Sequence, residues 1–149
     1  MTLPGTVLER GRVLPGVSLV AGGGAWTPWS LRGCSAQVLA FLHAACDACD
    51  AWAVDLAGAE LHGARAFAIL DRPAVSALPV LVDPGGAARA TLLGDRGEVP
   101  TVLVADRYAA AWEAYPAPGH DLPAAEEIAA TIRHAEISCT DCAAPGWGR

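Results

Sequence analysis

Cysteines stand at positions 34, 46, 49, 139 and 142, two CxxC pairs and a single thiol. In a reducing compartment two thiols at that spacing are more often redox-active or metal-binding than structural. Cys46 and Cys49 lie in Phe41-Leu42-His43-Ala44-Ala45-Cys46-Asp47-Ala48-Cys49, where an apolar stretch hands over to a helical one. Unpaired N–H groups at a helix start stabilise a thiolate. The first cysteine is therefore the expected nucleophile and the second, one turn on, the resolving thiol. Asp47 and Asp50 occupy the same first turn, where they offset the helix dipole and disfavour the Cys46 thiolate. A less stabilised thiolate makes a better reductant, so the pair reads as a reducing couple. His43 and Asp47 are its candidate modulators.

The elements that must position these thiols follow from the apolar pattern. Val17 to Val20 reads as a short strand, Gly22-Gly23-Gly24 as a turn, and Trp26 to Leu31 as a second extended piece interrupted by Pro28. Ala36 to Leu42 fits a buried central strand. A helix is expected from about Cys46 to Leu61, and a second buried strand over Ala64 to Leu70. Pro79 to Val82 is extended, Asp83-Pro84-Gly85-Gly86 is a turn, and Ala87 to Leu93 is a short helix stopped by Gly94. Thr101 to Ala105 and Ala110 to Ala114 flank Asp106-Arg107-Tyr108 as a hairpin. A last helix, capped by Asp121, is expected from Pro123 to Ile137, with Ile128, Ile132 and Ala135 buried. This order predicts an α/β fold with a mixed sheet flanked by helices and a right-handed parallel crossover. It gives one domain over 1–137 and a C-terminal tail, 138–149, carrying the second CxxC.

Composition narrows the class of function. The 149 residues are 53% hydrophobic and 17% charged, with a net charge of −6, which excludes a largely disordered chain. The acidic balance argues against nucleic acid or an anionic membrane as partner. All ten basic residues are Arg, with no Lys and no Asn, a bias expected of a GC-rich genome. No segment approaches the roughly 18 uninterrupted apolar residues of a membrane span. Residues 1–16 lack the apolar core of a signal peptide, so a cytoplasmic location is expected.

With the CxxC at a strand-to-helix junction, the chain resembles the thioredoxin-fold superfamily. It is most similar to the redoxin branch of TlpA/ResA-type thiol–disulfide oxidoreductases and peroxiredoxins. Gly11 to Leu19 looks like that branch's lead-in segment, a β extension before the domain, and Trp29-Ser30-Leu31-Arg32-Gly33 like its second extended piece. Val99-Pro100-Thr101 looks like the cis-proline loop, which in the family lies against the CxxC. The resemblance implies that Val99 pairs with substrate backbone and that Pro100 shapes the groove.

Departures separate this chain from both relatives. Ala45 replaces the thioredoxin Trp, Asp47-Ala48 replaces Gly-Pro, and the buried acid of thioredoxin would fall near Ala40. His43 stands where a peroxiredoxin needs Thr or Ser, and its peroxide-orienting Arg would fall near Val99. Without those donors the O–O cleavage transition state loses its stabilisation.

The resemblance also implies that the last helix runs away from the active end, about 22 Å for about 15 residues. Cys34, Cys139 and Cys142 would then form a distal trio: a disulfide plus a spare thiol, a metal site, reduced thiols or a relay. His120 is the one histidine suitably downstream for the copper-chaperone branch of the fold, in a context that is not diagnostic. His62, His120 and His134 otherwise read as solvated, and Asp83, Glu98 and Asp106 as turn residues.

The resulting expectation is a thiol–disulfide oxidoreductase acting through Cys46 and Cys49 on protein disulfides. A cellular thiol reductant is its partner, and no organic cofactor is implied. A thiol peroxidase and a redox-inert zinc-binding or interaction domain are the alternatives.

Overall fold

The computed structural model describes residues 1–94 and 98–143, with side chains through 137. Seven strands form one mixed sheet in the order β2-β1-β5-β4-β3-β6-β7. In chain order these are β1 (Leu19–Ala21), β2 (Gly24–Trp26), β3 (Gln37–Phe41), β4 (Arg65–Leu70), β5 (Val80–Val82), β6 (Thr101–Ala105) and β7 (Ala111–Pro116). Three helices accompany them: α1 (Asp47–Ala57), α2 (Ala87–Leu93) and α3 (Ala125–Ala143). β3 pairs in parallel with β4 and antiparallel with β6, so the strand leading into the CxxC sits well inside the sheet. All five of its residues are buried, as apolar Val38 to Phe41 covered on both faces requires, and buried Gln37 donates from Nε2 to Pro28 O at 2.9 Å.

The two faces of the sheet build two cores, because successive strand side chains point to opposite sides. Leu39, Phe41, Phe67, Ile69 and Leu103 pack with Leu92 and Leu93 of α2 and with Leu3, Leu8 and Leu14 of the N-terminal segment. Val38, Ala40, Ala68, Val102 and Val104 pack with Trp52, Ala53 and Leu56 of α1 and with Ile128 and Ile132 of α3. Truncating a wholly buried residue such as Leu39 to Ala costs about 2–5 kcal/mol. The β extension therefore supplies core, not only a lead-in.

Several element bounds depart from the sequence expectation for local reasons. Pro28–Leu31 winds into a 3₁₀ turn instead of an extended piece, since Pro28 at its first position presets a helical φ. α1 ends at Ala57 and not near Leu61, because Gly58 caps it. α3 begins at Ala125, too late for Asp121 to cap it. The preceding Pro123 is held by its carbonyl, which accepts a 2.6 Å hydrogen bond from Trp52 Nε1. α3 also continues past Ile137 to Ala143, so Cys139 and Cys142 belong to its last turns. Their side chains, and all of 144–149, lie outside the described residues.

Asp83 closes the turn before α2. Its carboxylate accepts from the backbone N–H groups of Ala88 and Arg89, both at 2.9 Å. That satisfies two of the orphan donors at a helix start and explains a buried carboxylate without catalysis.

Candidate functional site

The CxxC is presented by a sharp reversal between β3 and α1. Leu42, just past β3, remains tied to β4, its N–H donating to Ile69 O at 3.1 Å. Three residues later Ala45 adopts φ +54°, the left-handed region that a residue with a Cβ enters at a cost of about 1–2 kcal/mol. This turns the chain so that Cys46 becomes the N-cap of α1, extended at φ −122° and ψ 116°. Its carbonyl accepts the first helical hydrogen bond, from Asp50 N–H at 2.9 Å. Cys46 is half-exposed, whereas Cys49, one turn along, is only 1% exposed. Both are free thiols.

Burial sets the difference between the two sulfurs. It pushes the Cys49 thiol from 9.0 up to about 11, opposed by a backbone hydrogen bond from His43 and reinforced by its hydrogen bond to Cys46 and by the Asp50 charge. A buried apolar setting disfavours a thiolate, so Cys49 holds its proton at neutral pH.

Two imidazoles complete the constellation. His43 Nδ1 faces His120 Nε2 at 3.2 Å, and His43 Nε2 donates to Glu98 O at 2.7 Å. A carbonyl only accepts, so that contact puts a hydrogen on His43 Nε2 and, in the neutral ring, leaves the Nδ1 lone pair facing His120. His120 reaches the site because β7 ends beside the start of β6, Pro116 pairing with Thr101. The following turn is tied there by Ala117 N–H donating to Pro100 O at 2.7 Å and His120 N–H to Ala117 O at 2.9 Å. His120 takes a positive φ of 60°. One coordinating atom from each of His43, Cys46, Cys49 and His120 lies within 4.8 Å of the others.

The sequence-nominated residues thus divide into two groups. His43, Cys46 and Cys49 are brought together, and Asp47 is exposed on the first turn of α1. Val99 and Pro100 follow Glu98, whose carbonyl holds His43. The cis-proline expectation is corrected: among the described residues no peptide bond is cis, so Val99–Pro100 is trans. Trans is the lower-energy form of an X–Pro bond by about 0.5–1 kcal/mol, and here Thr101 Oγ1 donating to Val99 O at 2.9 Å fits it into the start of β6. Cys34 is exposed before the opposite end of β3, where Gly33 N–H donates to Arg107 O. Arg107 in turn pairs with Glu136 of α3 at 2.6 Å.

Arg89 is the residue that reading the sequence missed. Its guanidinium donates to Leu42 O at 3.2 Å and Ile69 O at 3.3 Å, at the carboxyl ends of β3 and β4, and lies over the Phe41 ring. Burial lowers its pKa, while Asp83, Asp71 and Cys49 act in the opposite direction. Together with Leu42, His43, Ala44, Asp71 and Glu98 it lines a cleft of about 690 Å³. Nothing in the Ala-rich helix around it signals that role, because only the packing of α2 against the sheet aims the side chain there.

A parallel β3–α1–β4 unit joined to an antiparallel β6–β7 hairpin has counterparts among solved structures. Enterococcus faecalis AhpC superposes with a TM-score of 0.75 at 12% identity, covering 93% of this chain and 95% of that one. The chain has a thioredoxin-like fold. Peroxidoxin BcpB of Mycobacterium tuberculosis matches this thioredoxin-like domain with a TM-score of 0.64 at 18% identity, over 85% and 97% of the two chains. A secreted disulfide oxidoreductase of the same organism gives 0.59 at 18% identity, over 80% and 96%. No protein-family model and no curated protein matches the sequence.

Proposed function

We propose that this thioredoxin-like domain is a thiol–disulfide oxidoreductase working through Cys46 and Cys49. The observation that carries the reading is the asymmetry of the pair: a half-exposed sulfur at the helix N-cap in front of a buried, protonated one. The Cys46 thiolate attacks one sulfur of a substrate disulfide, forming a mixed disulfide and releasing the other sulfur as a thiolate. That thiolate takes up the proton Cys49 gives off. Cys49 then attacks Cys46, the substrate leaves as a dithiol, and the domain is left with a Cys46–Cys49 disulfide. A cellular thiol reductant restores the dithiol. Protein disulfides are the substrate class, with Val99 offering backbone hydrogen bonds and Pro100 shaping the groove, and a reducing compartment such as the cytoplasm suits the couple.

The test is trapping. Cys49→Ser should accumulate mixed disulfides with substrate proteins through Cys46, and Cys46→Ser should accumulate none. Equal trapping by both variants would overturn the role assignment. Peroxide consumption that depends on Cys46 and survives in Cys49→Ser would favour a thiol peroxidase instead.

A further inference from the structure

We propose that reduced Cys46 and Cys49, together with His43 and His120, form a four-ligand zinc site, so that the domain binds Zn²⁺ in its dithiol form and releases it on oxidation. The proposal rests on the same cysteine pair as the redox reading, but not on disulfide exchange taking place.

Four side chains from three separate segments converge here: the end of β3, the start of α1 and the turn after β7. Two thiolates and two imidazoles are a tetrahedral zinc donor set. With Zn–N near 2.0–2.1 Å, two imidazole nitrogens on a tetrahedral ion stand about 3.3 Å apart. His43 Nδ1 and His120 Nε2 are already 3.2 Å apart. All four donor atoms lie within 4.8 Å. The tetrahedral sulfur–sulfur spacing is about 3.8 Å, so two sulfurs no more than 4.8 Å apart close by about 1 Å at most.

The surroundings of His43 are those of a metal-ligating imidazole. Such a ring characteristically donates its other N–H to a carboxylate or backbone carbonyl, which fixes both tautomer and orientation. Glu98 O, 2.7 Å from Nε2, does this for His43. In the metal-free protein with a neutral His43 ring, the Nδ1 lone pair accepts from His120 Nε2–H. With zinc bound both nitrogens turn lone pairs to the ion, and exposed His120 carries its hydrogen on Nδ1.

Binding breaks two S–H bonds, forms two Zn–S bonds and releases two protons to solvent, with no change of oxidation state. A small-molecule disulfide oxidant takes the two electrons and leaves as two thiols, converting both thiolates to the Cys46–Cys49 disulfide, so the oxidised domain retains only two ligands.

The test uses the full chain carrying Cys34→Ser, Cys139→Ser and Cys142→Ser, which removes the thiols outside the cluster. Reduced protein is titrated anaerobically with Zn²⁺ against a chromogenic chelator, and with Co²⁺ for its visible spectrum. One equivalent of zinc and the intense ligand-field bands of tetrahedral thiolate cobalt are expected, both lost in the disulfide form. His43→Ala and His120→Asn should each weaken zinc by about tenfold or more, with Asn chosen because it tolerates a positive φ. No competition with the chelator, or unchanged affinity in both histidine variants with their circular dichroism intact, would overturn the site. Mixed-disulfide trapping run with excess chelator reports on the redox reading separately, so either idea can fail while the other stands.

Discussion

His43 and His120, 77 residues apart in the chain, meet across 3.2 Å beside the dithiol. The contact joins the end of the central strand to the turn beyond the hairpin. It gathers two thiols and two imidazoles at the carboxyl end of β3 instead of an isolated pair of thiols. Both the turn into the helix at Ala45 and the turn at His120 use a positive φ without glycine. Such backbone strain tends to concentrate where geometry is being held for function.

The thiols should separate by pH. At pH 8 Cys46 should be alkylated by iodoacetamide while Cys49 stays unmodified, and Cys49 should react in native protein only as pH approaches 11. Mass-resolved labelling across pH checks this; equal rates at pH 8 would contradict it. The same shift has a stability consequence. Because the folded pKa lies above the unfolded one, the folded state holds the proton more tightly. Its contribution is intact below pH 9.0 and falls as pH rises to about 11. Urea midpoints of reduced protein should decline over that window, and less so in Cys49→Ala.

Asp47 lies in the first turn of α1, next to the N-cap sulfur. Asp47→His replaces an acid opposing the dipole with a group able to support a thiolate. The reduction potential of the couple should rise by on the order of 30 mV, equivalent to about 1.4 kcal/mol. Thiol-buffer equilibration followed by alkylation reads the value, and an unchanged potential removes Asp47 from the list of modulators.

Asp83 is expected to matter for stability and not for chemistry. Asp83→Ala orphans the N–H groups of Ala88 and Arg89 and should cost about 1–2 kcal/mol, seen as a lower urea midpoint at unchanged m-value. Since α2 carries Arg89, loss of the cap should also loosen the wall of the cleft beside His43.

Ala45→Gly should act in the opposite direction. Glycine enters the left-handed region without the Cβ penalty, and relief of that strain should raise stability by about 0.5–1 kcal/mol, net of the added freedom of the unfolded chain. Thermal denaturation of reduced wild type and variant compares them directly. A lowered midpoint would show that the Ala45 side chain contributes packing that outweighs its strain.

Much of the fold was legible because it is local. Apolar runs over 38–41 and 102–105 identify strands buried on both faces. Gly94 after Leu93 marks the end of α2, and Asp47 and Asp50 after Cys46 mark the start of α1. What misled was also local. Pro28 reads as a break in a strand but nucleates a 3₁₀ turn, and Asp121 reads as a cap but stands four residues before Ala125, where α3 begins.

Within the site, the nomination of Cys46 and Cys49 follows from residue type, spacing and position at a helix start, all properties of nine consecutive residues. The remainder does not. His120 enters through antiparallel pairing of β6 with β7, Glu98 through the contact of its carbonyl with His43, and Arg89 through the packing of α2 across the carboxyl ends of β3 and β4. Periodicity and spacing carry no information about which distant residues share a sheet edge. The sequence by itself determined the dithiol and the α/β frame that presents it. Only the tertiary structure decided which side chains surround it, because those contacts are made between segments whose separation in the chain is erased by the pairing of strands.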